Sequence, residues 1–129
     1  MMSKLSKVVF AVMMFGFMNG LRAESAAAVQ TFIQNNPDSV VLFYRSGCPY
    51  CQYVLPLFDA VEQELQGSAI GFLKVEIKKN AAELKEAFQF STVPTFIYYK
   101  GGQEKTRHGS NNKTLQKDEI EANIEKYIA

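Results

Sequence analysis

The stretch that decides the fold runs from Ser39 to Cys51 and reads SVVLFYRSGCPYC. Its first seven residues, up to Arg45, are rich in β-branched and aromatic side chains, which predicts a buried strand. The pattern then changes, because Pro49 is a favourable first residue of a helix and the following apolar residues recur at helical spacing as far as Gln66. A strand that turns directly into a helix therefore brings both cysteines of the stretch to the start of that helix.

Outside this stretch the chain alternates between helical and strand patterns, which predicts the order α-β-α-β-α-β-β-α. A strand–helix–strand order implies a parallel pair joined by a right-handed crossover, and a turn at Gly101 and Gly102 closes an antiparallel hairpin. The prediction is an α/β fold with a mixed four-stranded sheet and helices on both faces. The predicted helices cover residues 25–36, 49–66, 81–88 and 114–127, and the predicted strands cover 39–45, 69–77, 95–99 and 104–108.

Cys48 and Cys51 are the only two cysteines among 129 residues. A disulfide between them closes so short a loop that it stabilises the fold very little, so the pair is predicted to be chemical rather than structural. Cys48 precedes the helix, and Pro49 supports the helix start. Unpaired backbone N–H groups and the helix dipole at such a position lower the pKa of a thiol from about 8.5. The reactive thiolate is therefore expected on Cys48.

Cys51 follows one helical turn later and is expected to be more buried than Cys48. This spacing predicts a division of labour, in which Cys48 attacks a substrate disulfide and Cys51 resolves the mixed disulfide that results. The chemistry needs no cofactor. Tyr50 lies between the two cysteines and is expected to be exposed, either as a substrate contact or as a plain surface aromatic.

The alternative for a C-x-x-C pair is half of a zinc site. Zinc in proteins takes four protein ligands, or three and a water, and the only histidine of the chain is His108 on a distant predicted edge strand. No metal site is therefore predicted within one chain, although a site shared between two chains stays open. The balance of charges, with a formal net charge of +1, gives no indication of a nucleic-acid partner.

The N-terminus has the three parts of a secretory signal. Lys4 and Lys7 form a basic flank, residues 8–18 are apolar, and small residues follow. Cleavage is predicted after Ala23, with Gly20 as the alternative site. The apolar run is shorter than the roughly 20 residues that a membrane-spanning helix needs, which disfavours the other interpretation, an uncleaved membrane anchor.

Cleavage after Ala23 divides the chain into a signal peptide of residues 1–23 and a domain of residues 24–129. An exported protein whose only cysteines form a C-x-x-C pair is expected to act on the thiols and disulfides of other exported proteins. The last five residues, 125–129, lack an endoplasmic-reticulum retention signal, which favours the bacterial periplasm.

Four features of residues 25–129 together resemble the thioredoxin family. The C-x-x-C pair follows a hydrophobic strand, and Pro56 stands eight residues after the first cysteine. Val93-Pro94 matches a proline that is cis in that family, and the glycine hairpin matches the family's turn before its last strand. Residues 24–129 are therefore identified as a thioredoxin-like domain, and the resemblance implies a thioredoxin fold.

The resemblance also implies roles for residues around the cysteines. Pro94 is expected to be a cis proline that packs against them, and Val93 is expected to offer backbone hydrogen bonds to the bound substrate chain. The implied activity is protein thiol-disulfide exchange. Its implied partners are protein thiols and disulfides, together with a membrane protein or a thioredoxin-type protein as electron donor.

Two residues depart from the family pattern. Leu42 stands where the family has a buried acid that assists proton transfer at the second cysteine, and Gly47 stands where it has a tryptophan. Lys74 occupies the strand position whose lysine normally faces that acid. Glu76 on the same face is the predicted alternative partner of Lys74, and solvation of both side chains is the other interpretation. The direction and the speed of exchange therefore stay open.

The dipeptide Pro49-Tyr50 resembles glutaredoxins rather than thioredoxins. Three hypotheses follow from the sequence: an exported thiol-disulfide oxidoreductase acting through Cys48 and Cys51, a glutaredoxin-like reductase that uses glutathione, and a thioredoxin-fold chaperone or binding module. The first is the leading hypothesis, because the only cysteines of the chain form a pair at a predicted helix start.

Overall fold

The computed structural model describes residues 25–109 and 113–129. The predicted signal peptide, residues 1–23, lies outside the described residues, as do both predicted cleavage sites. Across the described ranges, no helix has the length and hydropathy needed to cross a membrane. The elements in chain order are α1 (Ala26–Asn35), β1 (Ser39–Tyr44), α2 (Pro49–Glu64), β2 (Gly71–Glu76), α3 (Ala81–Phe88), β3 (Thr95–Lys100), β4 (Gln103–Gly109) and α4 (Lys117–Tyr127).

The observed order of elements confirms the predicted one, and the differences lie at element ends. The last helix begins at Lys117 rather than at Thr114. The reason is a capping box, in which the Gln116 N–H donates to Glu119 Oε1 at 2.8 Å and so fixes the first turn. β2 begins at Gly71, two residues later than predicted.

The sheet has four strands in the order β2-β1-β3-β4. β1 runs parallel to β2 and antiparallel to β3, and β3 and β4 form an antiparallel hairpin. β1 therefore has a neighbour on each side, and its residues from Ser39 to Phe43 are fully buried. The predicted fold class, a mixed four-stranded sheet with helices on both faces, is confirmed.

Strand alternation divides the apolar residues between two cores, one on each face of the sheet. α1 and α3 cover one face, where the ring of Phe43 stacks 4.5 Å from that of Phe90. α2 and α4 cover the other face, where the ring of Phe58 contacts Phe72 and Phe96. The apolar side of α2 is thereby fixed on the sheet, which holds the first turn of this helix at the C-terminal end of β1.

Arg107 of β4 ties the sheet to the end of α3. Its guanidinium donates to Phe88 O at 3.0 Å and to Gln89 O at 2.7 Å, carbonyls that the helix end leaves without helical partners. Glu104 holds the guanidinium in place from the same strand. These bonds fix the start of the segment that leads to Pro94.

Candidate active site

The turn between β1 and α2 carries the cysteines beyond the end of the sheet. The Cys48 N–H donates to Arg45 O at 3.3 Å and closes a tight turn, while the Ile77 N–H donates to Tyr44 O at 2.7 Å and extends the contact between the parallel strands. Gly47 in this turn has a φ of +83°, a conformation that residues with a Cβ rarely adopt. The local backbone therefore favours glycine at this position, where the family pattern has a tryptophan.

Cys48 is the N-cap residue of α2, as the sequence predicted, and Pro49 is the first helical residue. Cys48 Sγ accepts a hydrogen bond from the Cys51 N–H at 3.2 Å. This N–H is one of the donors that a helix start leaves unpaired, so the sulfur lies where the positive end of the helix dipole stabilises a negative charge. Cys48 keeps a small exposed area, 5% of the residue.

Cys51 is fully buried. This burial and a hydrogen bond with Cys48 raise the pKa of the Cys51 thiol to about 12, while the backbone and the charge of Arg45 act in the opposite direction. A thiol with so high a pKa is almost entirely protonated at neutral pH. The predicted difference in burial between the two cysteines is confirmed, and the structure adds a strongly raised pKa for the inner one.

The peptide bond between Val93 and Pro94 is cis, as predicted. The Val93 carbonyl oxygen lies 3.9 Å from Cys48 Sγ, and Val93 is half-buried while Pro94 is buried. The Thr95 hydroxyl donates to Thr92 O at 2.7 Å and closes the turn around the proline. Val93 and Pro94, two of the three predicted substrate-binding residues, therefore lie beside the predicted nucleophile.

Two further residues border this region. Tyr50 is 40% exposed and is the only exposed large hydrophobic side chain in the described ranges, which confirms its predicted exposure. Gly109 at the end of β4 approaches Pro94 so closely that a Cβ on it would lie 3.1 Å from the Pro94 carbonyl oxygen. The sequence prediction gave Gly109 no role at this site, and its only signal was a glycine at the end of an edge strand.

Leu42 is fully buried, and the register of the sheet pairs it with Lys74. The prediction of Glu76 as the partner of Lys74 missed the observed contact, in which the Lys74 ammonium lies 2.8 Å from Asp59 Oδ1. Asp59 belongs to α2, which packs on this face of the sheet, so the Asp59 carboxylate extends from the helix to Lys74 on the strand beneath it. Glu76 instead accepts a hydrogen bond from the Ser46 hydroxyl and so ties the cysteine-bearing turn to β2.

His108 is engaged with aromatic residues on the face covered by α4. Its Nε2 lies 2.9 Å from the Tyr98 hydroxyl oxygen, and its ring stacks on Phe96 with centroids 4.7 Å apart. Burial lowers the pKa of His108, against the opposing effects of the Gly109 carbonyl and the Glu119 charge. Within residues 25–109 and 113–129, no three His, Cys, Asp or Glu side chains lie close enough together to hold a metal ion.

Comparisons with known proteins agree with one another. The family model described as thioredoxin matches residues 21–126. Thioredoxin H4 of Arabidopsis thaliana is 32% identical over 84 residues, which are 64% of this chain and 69% of that protein. Thioredoxin-2 of Saccharomyces cerevisiae is 28% identical over 85 residues, which are 66% of this chain and 79% of that protein.

Solved structures give the same fold. The chain is similar to Plasmodium falciparum thioredoxin with a TM-score of 0.68 and 24% identity, over 82% of this chain and 97% of that one. It is similar to the reduced thioredoxin pre-protein of Schistosoma mansoni with a TM-score of 0.67 and 24% identity, over 83% of this chain and 96% of that one. Similarity to solved structures at 24% identity shows the fold alone. The family is shown by the thioredoxin family model, which matches most of the sequence.

Proposed function

This chain belongs to the thioredoxin family and is a protein thiol-disulfide oxidoreductase, and from this premise we propose that it acts on exported proteins, with Cys48 as nucleophile and Cys51 as resolving thiol. The observation that carries the two roles is the hydrogen bond from the Cys51 N–H to Cys48 Sγ. Through it the Cys48 sulfur lies at the positive end of α2. Because Cys51 is fully buried, a protein substrate meets Cys48 first.

In the proposed reaction the Cys48 thiolate attacks one sulfur of the substrate disulfide. The substrate S–S bond breaks, a mixed disulfide with Cys48 forms, and the displaced substrate thiolate takes up a proton. Cys51 then loses its proton and attacks Cys48 Sγ, which releases the second substrate thiolate and leaves a Cys48–Cys51 disulfide. The substrate gains two electrons and the enzyme loses two, and the reverse sequence donates a disulfide to a substrate dithiol.

The segment around the cis proline is the proposed substrate contact. The Val93 carbonyl lies 3.9 Å from Cys48 Sγ, so an extended substrate segment that pairs its main chain with Val93 brings its own cysteine to the nucleophile. Tyr50, exposed on the first turn of α2, offers an aromatic surface to the same segment. Pro94 has no N–H and therefore adds no competing donor.

The second cysteine controls how fast the enzyme turns over. Cys51 must be a thiolate to resolve the mixed disulfide. Burial is the largest cause of the raised pKa of its thiol and does not depend on Cys48, and Leu42 offers no carboxyl group to take the proton. We therefore propose that mixed disulfides on Cys48 persist longer in this enzyme than in a relative with an acid at that position. A membrane protein or a thioredoxin-type protein is the proposed source of electrons for the oxidised pair.

Glutathione is a second candidate partner, favoured by the dipeptide Pro49-Tyr50 between the cysteines. In that reaction Cys48 alone removes glutathione from a mixed disulfide. Cys51→Ser tests it, because this variant should keep deglutathionylation activity if glutathione is the partner. Loss of all activity with glutathione mixed disulfides in both the wild type and Cys51→Ser would exclude this candidate.

The export proposal depends on the N-terminal sequence alone. Lys4 and Lys7 precede the apolar residues 8–18, which is the pattern of a secretory signal, and the bacterial periplasm is the proposed destination. Expression of the full chain in a Gram-negative host, followed by fractionation and N-terminal sequencing, tests it. We expect a periplasmic product that begins at Glu24; an intact chain confined to the cytosol would contradict the proposal.

Insulin reduction tests the two cysteine roles with matched variants. Cys48→Ser should abolish turnover, while Cys51→Ser should form mixed disulfides that remain visible on non-reducing gels. Far-ultraviolet circular dichroism of both variants provides the control for folding. Undiminished turnover in Cys48→Ser, or mixed disulfides that depend on Cys51 rather than Cys48, would refute the assignment.

A further inference from the structure

Three cations belong to the loops that follow β1 and β2 at the end of the sheet where Cys48 lies, and we call Arg45, Lys78 and Lys79 the cationic rim. Arg45 is tied to the nucleophile because the Cys48 N–H donates to Arg45 O at 3.3 Å. Lys78 and Lys79 directly follow Ile77, whose N–H donates to the last carbonyl of β1 at 2.7 Å. The loops after β1 and β2 therefore leave the sheet side by side. All three cationic residues are exposed.

A chain of contacts joins the two loops. The Ser46 hydroxyl donates to Glu76 Oε2, and Glu76 Oε1 lies 3.7 Å from Lys78 Nζ. Ser46 is only two residues before Cys48, so the rim is connected to the active-site turn by side chains as well as by the backbone. The side chain of Lys78 nevertheless remains 53% exposed and can meet a partner.

Basic residues outnumber acidic residues at this end of the sheet. Three segments at this end of the sheet, residues 45–53, 76–80 and 89–95, together contain one acid, Glu76, and three bases, the rim residues. Glu76 is itself hydrogen bonded and ion paired, so the rim keeps a net positive charge. The rest of the described chain has more acids than bases, so the three segments differ from it in carrying an excess of positive charge.

We propose that the cationic rim selects protein substrates whose disulfide is flanked by acidic residues. The inference rests on the proposed function, because it concerns which disulfides reach Cys48. Charges grouped beside a reactive atom raise the local concentration and the association rate of oppositely charged partners by roughly 10-fold or more at low salt. The effect is screened as the Debye length shrinks from about 30 Å at 0.01 M to about 8 Å at 0.15 M ionic strength.

Two synthetic peptides test the proposal, each with one intramolecular disulfide and identical except for Asp and Glu or Lys and Arg beside the cysteines. We expect kcat/KM at low salt to be about tenfold higher for the acidic peptide, and the ratio to fall toward one as sodium chloride is added. The double variant K78Q/K79Q should lose most of this ratio.

The matched control is K105Q/K126Q, which changes the net charge by the same amount on β4 and α4, away from the rim. It should keep the preference for the acidic peptide. Equal rates for the two peptides in the wild type, or a preference that survives in K78Q/K79Q, would overturn the inference while leaving the proposed function intact. Absence of exchange with either peptide and with insulin would instead overturn the proposed function.

Discussion

Replacing His108 by glutamine should remove a pH dependence from the stability of the fold. The His108 ring is held between Tyr98, whose hydroxyl oxygen lies 2.9 Å from Nε2, and Phe96, on which it stacks. Its Nδ1 lies 3.2 Å from Gly109 O. A neutral ring satisfies both contacts, with Nδ1–H donating to Gly109 O and Nε2 accepting from the Tyr98 hydroxyl. The Tyr98 hydroxyl stays protonated, because burial raises its pKa.

The sign of the effect follows from the pKa of His108, which burial lowers in the folded state. In the unfolded chain His108 has an ordinary pKa of about 6.5, so below that pH the unfolded chain binds a proton more readily than the folded protein does. Folding stability is therefore fully present above about pH 6.5 and falls as the pH drops below it. One such group changes the free energy of unfolding by at most about 1.4 kcal/mol per pH unit, so we expect a loss on the order of 1 kcal/mol between pH 7.5 and 5.5.

Urea unfolding of the wild type and His108→Gln at both pH values measures this effect. The variant should be less stable at pH 7.5 by about 1–2 kcal/mol, since it loses a stacked ring and disturbs the hydrogen bond of Tyr98. Its own loss between the two pH values should be smaller than that of the wild type by about 1 kcal/mol. Glu62, whose pKa burial raises, titrates in both proteins and cancels in the difference. Equal pH dependence in the two proteins would refute the reasoning.

Gly47→Ala should cost about 1 kcal/mol of stability in urea unfolding, because φ is +83° there, and it should also slow insulin reduction. Gly67→Ala is the matched control, since φ is +88° there and the position is far from the cysteines. It should lose a similar amount of stability but reduce insulin at the wild-type rate. Equal rates of insulin reduction in the two variants would contradict a role for the Gly47 turn in exchange. Leu42→Asp should lower stability by at least about 2 kcal/mol, because a fully buried leucine is lost and a carboxyl group is buried. Leu42→Met, which keeps the volume, should cost less than about 1.5 kcal/mol, and a similar cost for both changes would show that the site is not tightly packed.

The parts of the fold that the sequence predicted depend on strong local patterns. The apolar run that ends at Tyr44 and the helical spacing after Pro49 each specify one element, and together they bring Cys48 to a helix start. The cis bond at Pro94 was predicted by resemblance rather than by a local rule, because most bonds before proline are trans. Local pattern and family motif agree at this site, so the positions of both cysteines were predicted correctly.

The parts that the sequence did not reveal depend on contacts between distant segments. Asp59 meets Lys74 because α2 crosses above β2, a placement that strand alternation within β2 cannot indicate. Tyr98 and His108 meet through the pairing of β3 with β4, whose register slips at a bulge after Tyr98. Gly47 could be noticed as a departure from the family, but only the backbone geometry shows that its φ is positive.

The lack of a side chain at Gly47 also affects which shapes of substrate protein can reach Cys48. Apart from the two chain neighbours of Gly47, no described residue has an atom within 4 Å of the position where a Cβ would stand on it, so the turn is uncrowded on this side of Cys48. A substrate disulfide in a shallow surface loop can approach across this turn while only the few residues beside it extend to pair with Val93. The substrate segment that pairs with Val93 can therefore be short, and little local unfolding of the substrate is needed before exchange.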